Sequence, residues 1–234
     1  MRYALYLESG PQRRKTWVYV PDLPGCSTVA PTSDAAVEFA TVAIRDRLEF
    51  LSRHGEVVAD LEPIEAVVAG HVIERKFLGF GQGTFPSDRL PLAADEAARQ
   101  LHWAEWSREE LIAAARCQRL PLAEKPAGGG RSAAAIVSHV AGSEWSYVSA
   151  TLGPVPGGRA IIAAVEAAAE EPWAALAAER EALMPRLHSM TRDELARIVD
   201  RGEGKPVRSA RRMLRRFLEH EWEHVLELRS RLTS

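Results

Sequence analysis

The stretch Phe217–Leu226, FLEHEWEHVL, sets His220 and His224 four residues apart, with no proline or glycine to interrupt a helix. At ~100° per residue, Met213, Phe217, His220 and His224 fall within roughly 60° of one another, and Glu219, Glu223 and Glu227 fall outside that stripe. The two imidazoles therefore point where the large apolar side chains point, toward a core or a buried cleft. Two histidines one turn apart can hold a metal ion between them, and a tetrahedral or five-coordinate site then needs at least one further ligand. His139, in IVSHVAGSEW, is the candidate. On a predicted helix it shares a face with Ile136, Val140, Ser143 and Tyr147.

The bulk properties narrow the class. The chain has 234 residues, enough for one large or two small domains. A net charge of −2 gives no argument for nucleic acid or an anionic membrane as a partner. Cys26 and Cys117 are too few for a disulfide framework and read as reduced thiols. The opening MRYALYLES lacks a signal-peptide apolar region, and no apolar run approaches the ~20 residues of a membrane span. The expectation is a soluble cytoplasmic protein.

Residues 1–75 read as a small α+β unit. Alternation in RYALYLE and the run Trp17–Val20 predict two strands, CSTVA a third, and Ile64–Ile73 a last one. Thr32 or Ser33 can cap a helix to about Arg53, whose stripe is Val37, Ala40, Ile44, Leu48 and Leu51 and which Gly55 stops. The predicted order is β-β-β-α-β. Residues 76–91, rich in glycine and proline, read as a linker, and Phe77, Phe80 and Phe85 imply that it lies against one or both domains.

From residue 92 to 234 every periodic segment is helical. One helix is predicted over about 93–120, with a restart at Ser107, where SREE makes a capping box. A second runs from the Ser132 cap to about Leu152. A third covers about 159–188, bent or divided at Pro172. A short one follows the Thr191 capping box to about Val199, and the last runs over about 209–232. The fold class is thus multi-domain, α+β followed by all-α, and the second part is a helix bundle.

Two resemblances add to this. The opening strand, the PDLPGCST turn and the helix entry APTSDAAVEFA resemble the HicB-like antitoxin fold, which implies a protein partner for the first 75 residues. GRSAAAIVSHVAGSEW, Trp173 and RRMLRRFLEHEWEHVLEL resemble the DinB/YfiT-like metalloenzyme superfamily, which implies a four-helix bundle. Its members commonly bind a divalent metal through one histidine on the second helix and an HxxxH pair on the last, which here are His139, His220 and His224. The resemblance further implies thiol-dependent transferase or metal-dependent hydrolase chemistry, a low-molecular-weight thiol as a possible cofactor, and a homodimer. Three neutral imidazoles leave a position open for water or a thiol. Zinc and nickel both suit them, with iron behind.

The remaining residues carry less. Glu144 and Tyr147 are weak catalytic candidates; a solvated or salt-bridged Glu144 and a packed Tyr147 are the ordinary alternatives. Trp103, Trp106, Trp145 and Trp222 read as core or interface. His102 and His188 lie off the site, and Cys117 reads as buried or inert. Arg208, Arg211, Arg212, Arg215 and Arg216 invite a nucleic-acid reading, but the glutamates that follow favour a solvated face with helix ion pairs. The first function hypothesis is a metal-dependent enzyme acting on a small molecule. The alternative is a non-catalytic binding or regulatory protein that recruits a partner through its N-terminal domain.

Overall fold

The computed structural model describes residues 1–12, 15–58, 63–73 and 83–232. The chain divides into two compact units, Met1–Leu90 with Ile198–Val207, and Pro91–Arg197 with Arg208–Ser234. Among the described residues no helix is long and apolar enough to cross a membrane.

The first unit is a four-stranded sheet with one long helix. Strands β1 (Arg2–Ser9), β2 (Thr16–Tyr19), β3 (Ser27–Ala30) and β4 (Glu65–Ile73) lie in the order β3-β2-β1-β4. The first three pair antiparallel, and β4 returns parallel to β1 after the crossover through α1 (Ser33–Arg53). Parallel neighbours need such a crossover, which explains why the helix precedes the last strand. Thr32 caps α1, its Oγ1 accepting the Ala35 amide at 3.2 Å. Strand alternation puts the fully buried Leu5 and Val18 on one face and Tyr6, Trp17 and Tyr19 on the other. Phe85 closes the second face, its ring centroid 4.9 Å from Tyr6 and 5.6 Å from Tyr19. Of the three phenylalanines expected to lie against a domain, Phe85 does so, while Phe77 and Phe80 lie outside the described residues. Residues 198–207 join this unit through an Asp200–Arg89 ion pair and a Val207 amide bond to Thr84 Oγ1.

The turn in PDLPG is pinned from α1. Arg47 is wholly buried and donates to the Pro24 carbonyl at 3.0 Å, with its guanidinium 4.8 Å from the Phe50 ring centroid. Gly25 has φ +87°, and a Cβ built there would meet the Arg47 guanidinium at 2.4 Å.

The second unit is helical: α2 (Ala94–Arg116), α3 (Ala133–Leu152), α4 (Gly158–Ala167), α5 (Trp173–His188), α6 (Arg192–Ala196) and α7 (Ala210–Ser230). Helix α7 packs on α2 and α3, and α3 also packs on α4 and α5. Trp103, Trp145 and Trp222 are buried, as their reading as core requires, and Trp106 is half-buried. Expectations about helix bounds are corrected: the short helix after Thr191 ends at Ala196, ahead of a strand at Ile198–Val199. Helix α2 runs through Ser107 without restarting, because the Glu110 carboxylate that a capping box would need pairs with Arg229 on α7. It ends at Arg116, ahead of Pro121, which cannot extend it. The predicted 159–188 helix is two helices, since Pro172 has no amide proton and disfavours helical backbone at the residue before it.

The largest correction concerns the arginines of α7. Arg215 and Arg216 are only 2% exposed, and both pair with the fully buried Glu219 at 2.8 and 3.0 Å. The ion pairs expected from i,i+3 and i,i+4 spacing are there, but inside the protein instead of on a solvated face.

Gly25→Ala combines an unfavourable positive φ with a displaced Arg47, and it should lower stability by about 2 kcal/mol. Chemical denaturation of the variant, read as a shift in midpoint at constant slope, measures this.

Candidate metal centre

Helices α3 and α7 carry the three histidines and pack against each other. Both are fixed at their start by a serine: Ser132 Oγ accepts the Ala135 amide, and Ser209 Oγ accepts the Arg212 amide, each at 3.2 Å. Neither helix contains a proline, so the angular positions of the histidines follow from the helical repeat.

The nitrogens of His139, His220 and His224 that could hold a metal ion all lie within 4.8 Å of one another. The ring centroids are 4.8–5.2 Å apart and the rings stand close to edge-on, at 70–87°. The Nε2 atoms of His139 and His220 are 3.2 Å apart. Two nitrogens bound to one tetrahedral ion at about 2.0–2.1 Å would lie about 3.3 Å apart. His220 is buried, and among the described residues its Nδ1 has no hydrogen-bond partner. A buried imidazole with its other nitrogen unsatisfied is unfavourable. A cation between the facing Nε2 atoms removes the need for a proton there, so the donor set fits a divalent metal.

Burial and nearby charge keep His139 and His220 in the form that can ligate. Burial, with Arg131 and then His224 adding to it, lowers the pKa of His139 to about 4. Burial also pushes His220 well below its usual range, with His224 and Arg216 contributing. Both imidazoles are therefore neutral near pH 7, which is what metal ligation requires.

Glu227, placed outside the stripe by helical geometry, nevertheless reaches the site. Its Oε2 lies 2.8 Å from His224 Nδ1, and its Oε1 accepts from Arg231 at 2.5 Å. The His224 contact, followed by Arg231, holds the Glu227 carboxyl below the usual range against its own burial. With Nδ1 occupied, His224 presents Nε2 to the other two rings. A carboxylate behind a ligating histidine is the usual way to fix the ring and raise its basicity. The signal was the i,i+3 spacing to His224.

Tyr147 stands perpendicular to His220, with centroids 5.9 Å apart. With Ser143 and His139 it lines a pocket of about 600 Å³. Glu144 is elsewhere. It is fully buried and accepts from Arg108 at 2.6 Å and from Arg180 at 3.0 Å. Glu221 binds the same two arginines, and Glu179 binds Arg108. Of the two ordinary alternatives for Glu144, the salt-bridged one holds and the solvated one does not. His102, His188 and Cys117 are exposed, so Cys117 is corrected from a buried thiol.

This cluster joins two guanidinium groups to three carboxylates. Burial opposes the charge of Arg108, yet Glu144, Glu221 and Glu179 more than offset it and hold it protonated. Burial dominates at Glu144 despite both arginines, raising it from its ordinary 4.5 to about 8. Glu179 is raised for the same reason. Between these values the folded chain holds a proton that the unfolded chain releases, so stability falls as pH rises from about 4.5 to 8.

Two outcomes follow. Glu144→Gln should flatten the fall in stability between pH 5 and pH 8, measured by thermal melts across that range. Glu227→Gln should weaken zinc binding about tenfold or more without changing helix content, read by competition with a chromophoric chelator and by circular dichroism.

The chain matches the DinB superfamily over residues 104–228, more than half of its 234 residues. That span contains α3 and α7 and all three histidines. No curated protein and no solved structure matches it. With its helical unit and three converging histidines, the chain belongs to the DinB superfamily.

Proposed function

We propose that this protein is a divalent-metal-dependent enzyme, of the thiol-dependent transferase or hydrolase type, with His139, His220 and His224 as the metal ligands. The observation that carries this reading is the 3.2 Å approach of two imidazole nitrogens beside a pocket that His139 itself lines. Bound there, a zinc or nickel ion, or iron after them, supplies Lewis acidity that lowers the pKa of a coordinated water or thiol.

The chain's own groups do the rest. His220 and His224 are buried, so two ligands are shielded from solvent, while the half-buried His139 opens to the pocket. Glu227 orients His224 and is itself held by Arg231. Tyr147 and Ser143 bring hydroxyl groups to the pocket wall, where they can position a small-molecule substrate or a low-molecular-weight thiol. Glu144 is withdrawn into the ion cluster and serves the packing of the helices. Helices α2, α3, α5 and α7 supply a four-helix bundle, with α4 and α6 as additions. For the first unit we propose the HicB-like fold, supported by its β-β-β-α-β order and the PDLPG turn that Arg47 grips.

Protein purified without chelator or affinity-tag metal should carry about one zinc or nickel ion per chain. The His220→Ala/His224→Ala double variant should carry almost none, by elemental analysis. Equal metal in both, or none in either after zinc or nickel is added, removes the enzyme reading and leaves a partner-binding protein.

A further inference from the structure

The pocket beside His139 continues along α4. A second hollow, of about 660 Å³, is lined by Ser149 and Arg159 and shares Gly142, Ser146, Ile162 and Glu166 with the first. The two form one trough between α3 and α4, running from His139 to Arg159.

Small residues keep that trough open. A Cβ on Gly158 would fall 1.9 Å from the Trp145 indole nitrogen, so only glycine lets the first turn of α4 lie against α3 there. At Gly142 a Cβ would sit 3.8 Å from Ile162, in ordinary contact. The α3 wall brings hydroxyl groups to it through Ser143, Ser146 and Ser149.

The charges are spaced along α4. Arg159 and Glu166 are seven residues apart, which puts them on one helix face about 10.5 Å apart along the axis. Both are exposed, and among the described residues neither is engaged in an ion pair or hydrogen bond. Glu166 lines both halves of the trough, including the one that contains His139, whereas Arg159 lines only the far half. An extended chain of three residues spans about 10 Å from end to end.

We propose that this trough binds a linear, peptide-like zwitterion of about tripeptide length, with its ammonium at Glu166, its carboxylate at Arg159 and its amides along the serines. The amine end then lies nearest His139. This names a substrate class for the enzyme proposed above and rests on that reading only for the chemistry, since the charged ends are recognised by α4 itself.

Triglycine is the probe. It would be titrated into the full-length protein, both zinc-loaded and chelator-treated, and followed by backbone amide NMR shifts alongside N-acetyltriglycine and triglycinamide. Blocking either end should weaken binding about two- to fivefold, the range of an exposed ion pair. Glu166→Gln should abolish the preference for the free amine and keep that for the free carboxylate, and Arg159→Gln should do the reverse. Any other pattern, including no detectable triglycine binding, overturns the proposal. Because the preference is read without metal as well, its loss with normal metal content counts against the trough alone. Absence of metal with the preference intact counts against the enzyme reading alone.

Discussion

The helical unit depends on charges that it has taken out of water. Arg108 from α2, Glu144 from α3, Glu179 and Arg180 from α5, and Glu221 from α7 meet in one buried cluster. Leaving one partner of such a cluster alone is far costlier than the net gain from forming it, so the arrangement selects register more than it adds stability. Each helix is tied to the others at one depth. Glu221 adjoins His220, and Glu144 lies on α3 little more than one turn beyond His139. Fixing α3 against α7 for the ion cluster also fixes where the histidines meet.

The same helix handles opposite charge problems on different faces. Near its start, Arg215 and Arg216 share Glu219 inside the protein. Farther along, His220 is kept without charge, by burial first and then by His224, Arg216, His139 and Arg131. The three imidazoles bring no negative charge to a divalent ion. Glu227 supplies one at second remove, through His224 Nδ1, and Arg231 in turn limits how much of it reaches the site. A divalent ion held there would keep most of its electrophilicity, since three neutral imidazoles would be its inner ligands.

Much of this was legible in the sequence, for local reasons. The strand order, the Thr32 and Ser132 caps, the Thr191 capping box and the face shared by His220 and His224 each follow from a few neighbouring residues. What was not legible depends on partners far along the chain. Ser107 starts no new helix because Glu110 is held by Arg229, more than a hundred residues away. Arg215 and Arg216 look like surface residues in any helical projection, and only packing against the rest of the unit shows them buried. Glu144 gave no sign of its two arginines, which come from α2 and α5. Glu227 was a different case: the stripe was drawn from Cβ directions, but a glutamate one turn beyond a histidine has the length to reach back.

Helix α4 shows how the division at Pro172 bears on chemistry. A single helix over 159–188 would continue one face unbroken. The break instead leaves a ten-residue helix whose close approach to α3 is permitted at Gly158 and relaxed at Gly142. A gap opens where α3 presents serines and a histidine in place of large apolar side chains. The break, with Pro172 at the start of α5, thereby separates the task of packing, which α5 performs with Glu179 and Arg180, from the task of lining a pocket, which α4 performs with Ile162 and Glu166. Because the two tasks rest on different helices, the groups that α4 brings to the trough are free to vary without disturbing the buried ions that place the histidines.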